Sequence, residues 1–456
     1  MQTSNDAMTS STQDFPMNSA VDIDVEAVQE ANVTRKVGRR LMWFLVALYF
    51  CAIMDRGNIS FAALSMNRDI GLSSQMFGFG VGIMFAAYAL FEVPSNLLLA
   101  RIGARATLTR IAILWGLATM LMACATGPLS FYALRALLGV AEAGFLPGVM
   151  LYLSYWFPRK YRARYNATFN LAIPISYIAS ALISGAILMM DGVAGLAGWK
   201  WLFILEGLPP IALGIFGFFY LTDRPSEAGW LTIDEREVLE QALERDSRDG
   251  IAIKSSGLLR TLRNPVVLAL GLCNTALYCG LTSPPYWLPQ IVHGFRLVPT
   301  QIGILTSIPP LVGLIGMLLL SRWSDRRGSR FVHASVTFAI AGAGFLVTAL
   351  STSLAGIIIG FSIANIGIYA TQAIFWTIPQ SFLHRNIAPG AMGLIGMMGS
   401  IGGALMPITI GRLKDLTHSF SSGFVLVVGV LFIASIMIAS VPIRWKSARS
   451  STCSAR

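Results

Sequence analysis

Charge is scarce in this 456-residue chain. Asp, Glu, Lys and Arg make up 12% of it, against about 25% in soluble domains, while 55% of its residues are hydrophobic. Such a composition cannot cover a water-facing surface, so an ordinary soluble domain is excluded. Histidine is scarcer still. His293, His333, His384 and His418 fall in loops or at the ends of apolar runs, far apart in sequence. The five cysteines are Cys51, Cys124, Cys273, Cys279 and Cys453; four lie in apolar runs without metal-ligand grouping, which argues against a disulfide framework and a zinc site. No H-E-x-x-H, G-x-S-x-G or G-x-x-x-x-G-K-[ST] is present, so neither an enzyme nor a nucleotide-driven machine is expected. A cleavable signal peptide is not expected either, since Met1–Thr34 is polar and acidic and the first apolar run starts near Leu41.

What the chain does have is long apolar runs. Runs of roughly 20 residues recur along its whole length, each able to cross a ~30 Å hydrocarbon core. The short alternating segments of a membrane β-barrel are missing. The fold class is therefore an all-α membrane protein. Twelve transmembrane helices are expected near 41–64, 75–99, 107–126, 130–152, 164–190, 200–221, 264–290, 301–321, 332–350, 353–379, 389–411 and 421–443. The net charge of +11 has a topological explanation that needs no nucleic acid. Of the 34 Lys and Arg, 27 fall on the side of the termini, in tails, loops and the span ends beside them. Five fall on the far side (Arg68, Lys200, Arg296, Arg412, Lys414) and two, Arg56 and Arg135, inside spans. The positive-inside rule then puts both termini in the cytoplasm.

A polar segment divides the spans into two sixes. Residues 1–40 read as a disordered cytoplasmic tail, 41–221 as a first six-helix bundle, 222–263 as a cytoplasmic linker, 264–443 as a second bundle and 444–456 as a short tail. The linker contains LTIDEREVLEQALERD, a charged amphipathic helix. An internal repeat supports the division. Arg101-Ile102-Gly103-Ala104-Arg105 follows the second span, and Arg326-Arg327-Gly328-Ser329-Arg330 follows the eighth. Both read R-x-G-x-R, and they lie 225 residues apart, close to the offset between the first and seventh spans. Two parallel halves with a site between them is a transporter architecture.

Four ionisable residues lie deep in the first half. Asp55 and Arg56 stand side by side in the first span; Arg135 and Glu142 stand seven apart in the fourth, on one helix face with Gly139 between them. By helix rise, Asp55 lies ~14 Å, Arg135 ~7 Å and Glu142 ~18 Å from the far ends of their spans, a common slab if the faces meet. A charge at that depth costs about 2.5–3.5 kcal/mol on insertion scales, and such residues usually mark a substrate or proton path. Arginine suits a carboxylate, which it can grip with two parallel bonds. A buried acid favours its neutral form until an arginine approaches, so acids beside arginines can exchange protons as a substrate arrives and leaves. Static Asp55–Arg56 and Arg135–Glu142 pairs are the structural alternative. Glu92 and Glu206 are expected to pack or gate, and Tyr88, one turn from Glu92, is a candidate for the cavity wall. The second half offers only polar stripes: Asn274, Tyr278 and Thr282 on the seventh span, and Asn365, Tyr369, Gln372 and Trp376 on the tenth. These suit substrate hydroxyls or interhelical bonds. Without a nucleotide site, transport must draw on a gradient.

These residues resemble a known family. MDRGNISFA at 54–62, GVAEAGFLPGVMLYLSYWFP at 139–158, WKWLFILEGLPP at 199–210, TDRPSEAGWLTIDERE at 222–237 and SDRRGSR at 324–330 are similar to the anion:cation symporter group of the major facilitator superfamily, with its bacterial tartrate, phthalate and sugar-acid permeases. The similarity spans roughly residues 35–445. It implies the major facilitator fold and proton-coupled uptake of a small organic anion by a monomer in the inner membrane, with no cofactor beyond the coupling proton. It implies Asp55 and Glu142 as protonation sites, Arg56 and Arg135 as substrate-carboxylate ligands and Tyr88 as a substrate contact. Asn274, Tyr278 and Gln372 are the companion candidates from the second half. Arg101, Gly103, Arg105, Asp325, Arg326, Gly328 and Arg330 fall in gating loops. One departure stands out: Ala100 occupies the place that Asp325 fills in the second loop, so the first loop is expected to lack the acid that clips a neighbouring helix. An exchanger or exporter on the same fold, or a sensor that binds without transporting, are the alternatives.

Overall fold

Apolar runs of this length fold as helices because a backbone in hydrocarbon must satisfy its own hydrogen bonds. The computed structural model describes residues 18–248, 265–327, 329–382 and 388–453, and all of its regular structure there is helical. Twelve helices are long and apolar enough to cross a membrane: Val28–Asp69, Ser74–Leu99, Ala104–Cys124, Pro128–Trp156, Arg159–Met190, Gly198–Tyr220, Pro265–His293, Pro299–Ser324, Arg330–Leu350, Leu354–Pro379, Ala391–Thr417 and Ser421–Val441. They are called spans 1 to 12. Twelve crossings among the described residues put the start of span 1 and the end of span 12 on one face, called here the terminal face.

The tail departs from expectation. Residues 1–40 were expected to lack structure; 1–17 lie outside the described residues, and one helix runs unbroken over Asn18–Asp69. The reason is a stripe, Val33, Val37 and Leu41, at i, i+4 and i+8; all three are buried. Tyr165 donates to the Thr34 carbonyl at 3.0 Å, Lys160 pairs with Glu30 at 3.0 Å and Lys36 with Glu235 at 2.6 Å. The linker helix, Ile233–Arg248, starts on a capping box: the Glu235 amide donates to Thr232 Oγ1, and the Thr232 amide to Glu235 Oε2. It docks on the first half through buried Leu239 and Ala242. Trp230, just before it, stacks on Trp156, and Arg40 lies between the rings of Tyr220 and Trp230.

The halves meet at the far face. Gly185 of span 5 and Gly303 of span 8 face each other so closely that a Cβ on either would run into the opposing backbone. Span 2 packs on span 11 in the same way, Gly78 against Pro407 and Gly411 against Ser74. Asp415 at the far end of span 11 accepts from the amides of Ser74 at 3.1 Å and Gln75 at 2.7 Å, capping the first turn of span 2 across the interface. One apolar core therefore runs through the second half and the far-side portion of the first, while the terminal-face portion of the first half has a core of its own. Among the described residues nothing lies within 4 Å of a Cβ built on Gly393 or Gly396 near the terminal end of span 11. The cleft between the halves thus opens toward the terminal face.

Span 4 is broken. Helix runs Pro128–Glu142, stops, and resumes over Phe145–Trp156. Gly144 makes the break at φ 84°, a left-handed conformation that costs a Cβ-bearing residue about 1–2 kcal/mol. Pro147 tolerates the restart, because the first turn of a helix needs no intrahelical N–H there. Glu142 is the last residue of the far-side half-helix.

Candidate functional site

The centre of the molecule is an ion pair across two spans. Arg56 of span 1 donates through Nη2 to Glu142 Oε1 at 2.6 Å and through Nε to the same oxygen at 3.0 Å. The other carboxylate oxygen, Oε2, is buried without a partner. Glu142 is 1% exposed and Arg56 23%, so the acid sits in the wall and the guanidinium reaches into the cleft. Gly139 permits this: it lies against the backbone of Met84, which brings span 2 close enough for Phe85 and Tyr88 to stack over Arg56 at 5.9 and 5.3 Å. Glu92, half-buried one turn beyond Tyr88, also faces Arg56.

Arg135 is fully buried. It makes one long bond, Nε to the Gly80 carbonyl at 3.4 Å, and its Nη2 has no partner. Neither of the static pairs considered from sequence forms. Asp55 turns away from Arg56 into the first bundle, where its Oδ1 accepts from Thr119 Oγ1 at 2.9 Å and Asn58 Nδ2 at 3.1 Å. Neighbours on a helix point about 100° apart, so Asp55 and Arg56 serve different faces. Glu206 is buried too, accepting from Ser184 at 2.8 Å.

A wall of tyrosines surrounds the arginines. Tyr88 and Tyr286 face Arg56, and Tyr286 also faces Arg135. Tyr177 stands among Tyr49, Tyr286 and Tyr369. Sequence reasoning named Tyr88, Tyr278 and Tyr369 and missed Tyr49, Tyr177 and Tyr286. The signal for Tyr286 was present, since it continues the Asn274, Tyr278, Thr282 stripe by one more turn. Asn274 is diverted: its Nδ2 donates to the Ile395 carbonyl of span 11 at 2.8 Å. Tyr278 lies beside Gly399 and Gly403 of span 11. Gln372 is partly buried with its Oε1 unpartnered. Asn365 and Tyr369 line a small pocket with Tyr177, Ser180 and Thr306 on the far side of the arginines.

At the terminal face the first R-x-G-x-R loop is clipped after all. Asp223, which follows span 6, accepts from the Arg105 amide at 2.8 Å. Gly103 sits at φ 89°, where a Cβ would strike that carboxylate. The acid expected to be missing at Ala100 comes from the TDRP stretch instead, and it lies at the start of span 3, where the helix dipole favours it. Arg101 is exposed, and Arg105 lies over Phe218. In the second loop Arg326 is exposed and Arg330 donates to the Thr377 carbonyl at 3.2 Å. The Asp325 side chain and Gly328 lie outside the described residues.

Comparison with known proteins bears on the family and the fold. The family model described as Major Facilitator Superfamily matches residues 45–407. A provisionally named tartrate transporter of Agrobacterium vitis is 42% identical over 408 residues, 90% of this chain and 91% of that protein. A quinolone resistance transporter of Acinetobacter baumannii is 37% identical over 395 residues, covering 86% and 91%. Among solved structures, a bacterial homolog of the human lysosomal transporter Spinster superimposes with a TM-score of 0.70 at 17% identity, covering 88% of this chain and 96% of that one. The last similarity concerns the fold.

Proposed function

The chain belongs to the major facilitator superfamily, and from that premise we propose that it is a symporter that takes up a small organic anion together with protons. It is a transporter and not an enzyme. The proposed substrate is a hydroxy-dicarboxylate or sugar acid of the tartrate kind. The observation that carries the proposal is the Arg56–Glu142 pair beside the under-bonded Arg135. While Glu142 is ionised it occupies Arg56. A proton on Glu142 removes the anion from that pair, and Arg56 becomes free to take a substrate carboxylate together with Arg135. Release of the anion restores the pair and the proton departs. The Glu142 carboxylate and the substrate carboxylate thus compete for one guanidinium, and a proton on Glu142 tips that competition toward the substrate, which ties their movements together. The tyrosines around the arginines supply hydroxyl donors and acceptors for a polyhydroxy chain.

The rest of the proposal concerns sidedness. With the terminal face in the cytoplasm, as the charge asymmetry supports, the cleft faces inward and the Asp415 cap closes the outside. Alternating access is then a rocking of the two halves about the arginine level. The protein acts as a monomer in the inner membrane, with protons as its only coupling ion.

Uptake of labelled tartrate into proteoliposomes with an imposed inward proton gradient tests this, wild type beside Glu142→Gln. The expected result is gradient-stimulated uptake that is lost in the variant while substrate exchange persists. Equal stimulation in both proteins would remove Glu142 from the coupling. The similarity to a quinolone resistance transporter favours one second reading, an exporter. Quinolone efflux in the absence of any tartrate uptake would establish it.

A further inference from the structure

The first half holds a second polar cluster that the arginine site does not use. It lies inside the bundle, where spans 1, 3, 5 and 6 meet. Asp55 and Asn58 come from span 1, one turn apart, with Thr119 from span 3, Ser184 from span 5 and Glu206 from span 6. All five are at least 97% buried. The bonds within it are few. Thr119 and Asn58 donate to Asp55 Oδ1, Ser184 donates to Glu206 Oε1, and the Asn58 NH2 also faces the Glu206 carboxylate as a donor. Three oxygens are left over, Asp55 Oδ2, Asn58 Oδ1 and Glu206 Oε2, each buried without a partner.

The donor count decides what this cluster needs. With both acids ionised, all three orphan oxygens are acceptors. Leaving buried acceptors unpaired is costly, and more so for charged groups. Neither acid forms an ion pair among the described residues. The titratable and charged groups that face the cluster are Cys51 from span 1 and Arg135 and Glu142 from span 4; spans 3, 5 and 6 add Thr119, Ser184 and Glu206. A proton on Glu206 supplies the missing donor. With Glu206 neutral, the Asn58 NH2 that both acids face is left to Asp55. One carboxamide NH2 thus lies between the two acids and links them.

We propose that Glu206 is a proton-binding residue of the transport cycle, joined to Asp55 in one titrating set by the Asn58 carboxamide. This rests on the proton-coupled transport proposed above and adds a carboxyl to it. The set keeps one proton on Glu206 while Asp55 is ionised and takes a second when Asp55 becomes neutral. Removing both would leave two anions across one amide. The protons therefore leave in sequence, and the apparent midpoints belong to the pair and not to either residue.

Infrared difference spectra of the purified protein in lipid vesicles, recorded between acidic and alkaline buffer without any substrate, test this directly. A protonated-carboxyl band that disappears with alkalinity is expected, absent from Glu206→Gln and shifted in midpoint by about one pH unit or more in Asp55→Asn. Ser184→Ala keeps the acid but removes a donor to its ionised form, so it should move the same midpoint upward. Glu206→Gln is nearly isosteric, and its thermal unfolding and monodispersity are checked alongside. A Glu206 band that ignores pH, that is indifferent to Asp55→Asn, or that responds to sodium at fixed pH overturns the proposal. A band that behaves as expected in a protein showing no proton-driven tartrate uptake overturns the transport reading alone.

Discussion

The two halves share one architecture but not one chemistry. The first half buries Glu30, Asp55, Arg135, Glu142 and Glu206. Among the described residues the second half buries no Asp, Glu, Lys or Arg; His333, Asn274, Asn365 and hydroxyl side chains take their place. The first half also binds the linker helix and the docked tail. Prolines do not separate the halves: Pro284, Pro285 and Pro289 in span 7 and Pro309 and Pro310 in span 8 are matched by Pro94 in span 2 and Pro209 and Pro210 in span 6. The difference in buried charge indicates a division of labour. Charge lies on one side of the cleft, and in the proposed mechanism the proton is handled there, while the other side offers neutral polar groups. A neutral wall is also the easier one to slide, since no ion pair must break between the halves near the arginines.

The sharpest way to break this comparison is to neutralise each wall in turn. Arg135→Gln removes the buried cation, and truncating a buried charge that pairs with a ligand costs about 2–5 kcal/mol. Tartrate uptake at fixed concentration should fall by on the order of 100-fold. Tyr286→Phe deletes one neutral hydroxyl facing the same space, worth about 1 kcal/mol, so the half-saturation concentration should rise about fivefold with maximal rate little changed. Equal losses in the two variants would erase the distinction between the walls. Next in size is the interface itself. Asp415→Ala removes the cap on span 2, worth about 1 kcal/mol. Labelling of a cysteine placed on the far side of the cleft should become several-fold faster, because the closed far face loses that much of its advantage.

The smallest effect belongs to the linker. The hydrogen bond from Lys36 holds the Glu235 carboxyl below the ordinary glutamate value of 4.5. Its contribution is therefore complete above that value and is lost as pH falls through the lowered one. The pair is partly exposed, Lys36 at 44% and Glu235 at 25%, so screening leaves a few tenths of a kcal/mol. Thermal unfolding of Glu235→Gln should differ slightly from wild type at neutral pH and not at all in strong acid. A large difference at neutral pH would mean that the linker anchors the first half far more firmly than its contacts imply.

Much of the site was legible as a list and little of it as a set of bonds. The seven-residue interval between Arg135 and Glu142 does put both on one buried face. The tail was misjudged because four basic residues, Arg35, Lys36, Arg39 and Arg40, hid the Val33, Val37, Leu41 stripe between them. The missing clip at Ala100 was sought within its own loop, whereas Asp223 arrives from 118 residues away. Glu206 looked like a packing group because nothing in a linear reading shows that it has no cation beside it.

The sequence by itself determined the twelve spans, the side that carries the basic loops, the doubling of the chain and the half in which charge is buried. Those properties follow from transfer energies that each segment feels alone in a bilayer. Only the tertiary structure decided that Arg56 pairs with Glu142, that Asp55 turns its back on its neighbour, and that the halves close at the far face. Side-chain partnership depends on which helix faces meet, and a helix turns each successive residue by about 100°. Two charges adjacent in sequence therefore point to different neighbours, while two that lie 86 residues apart share a bond.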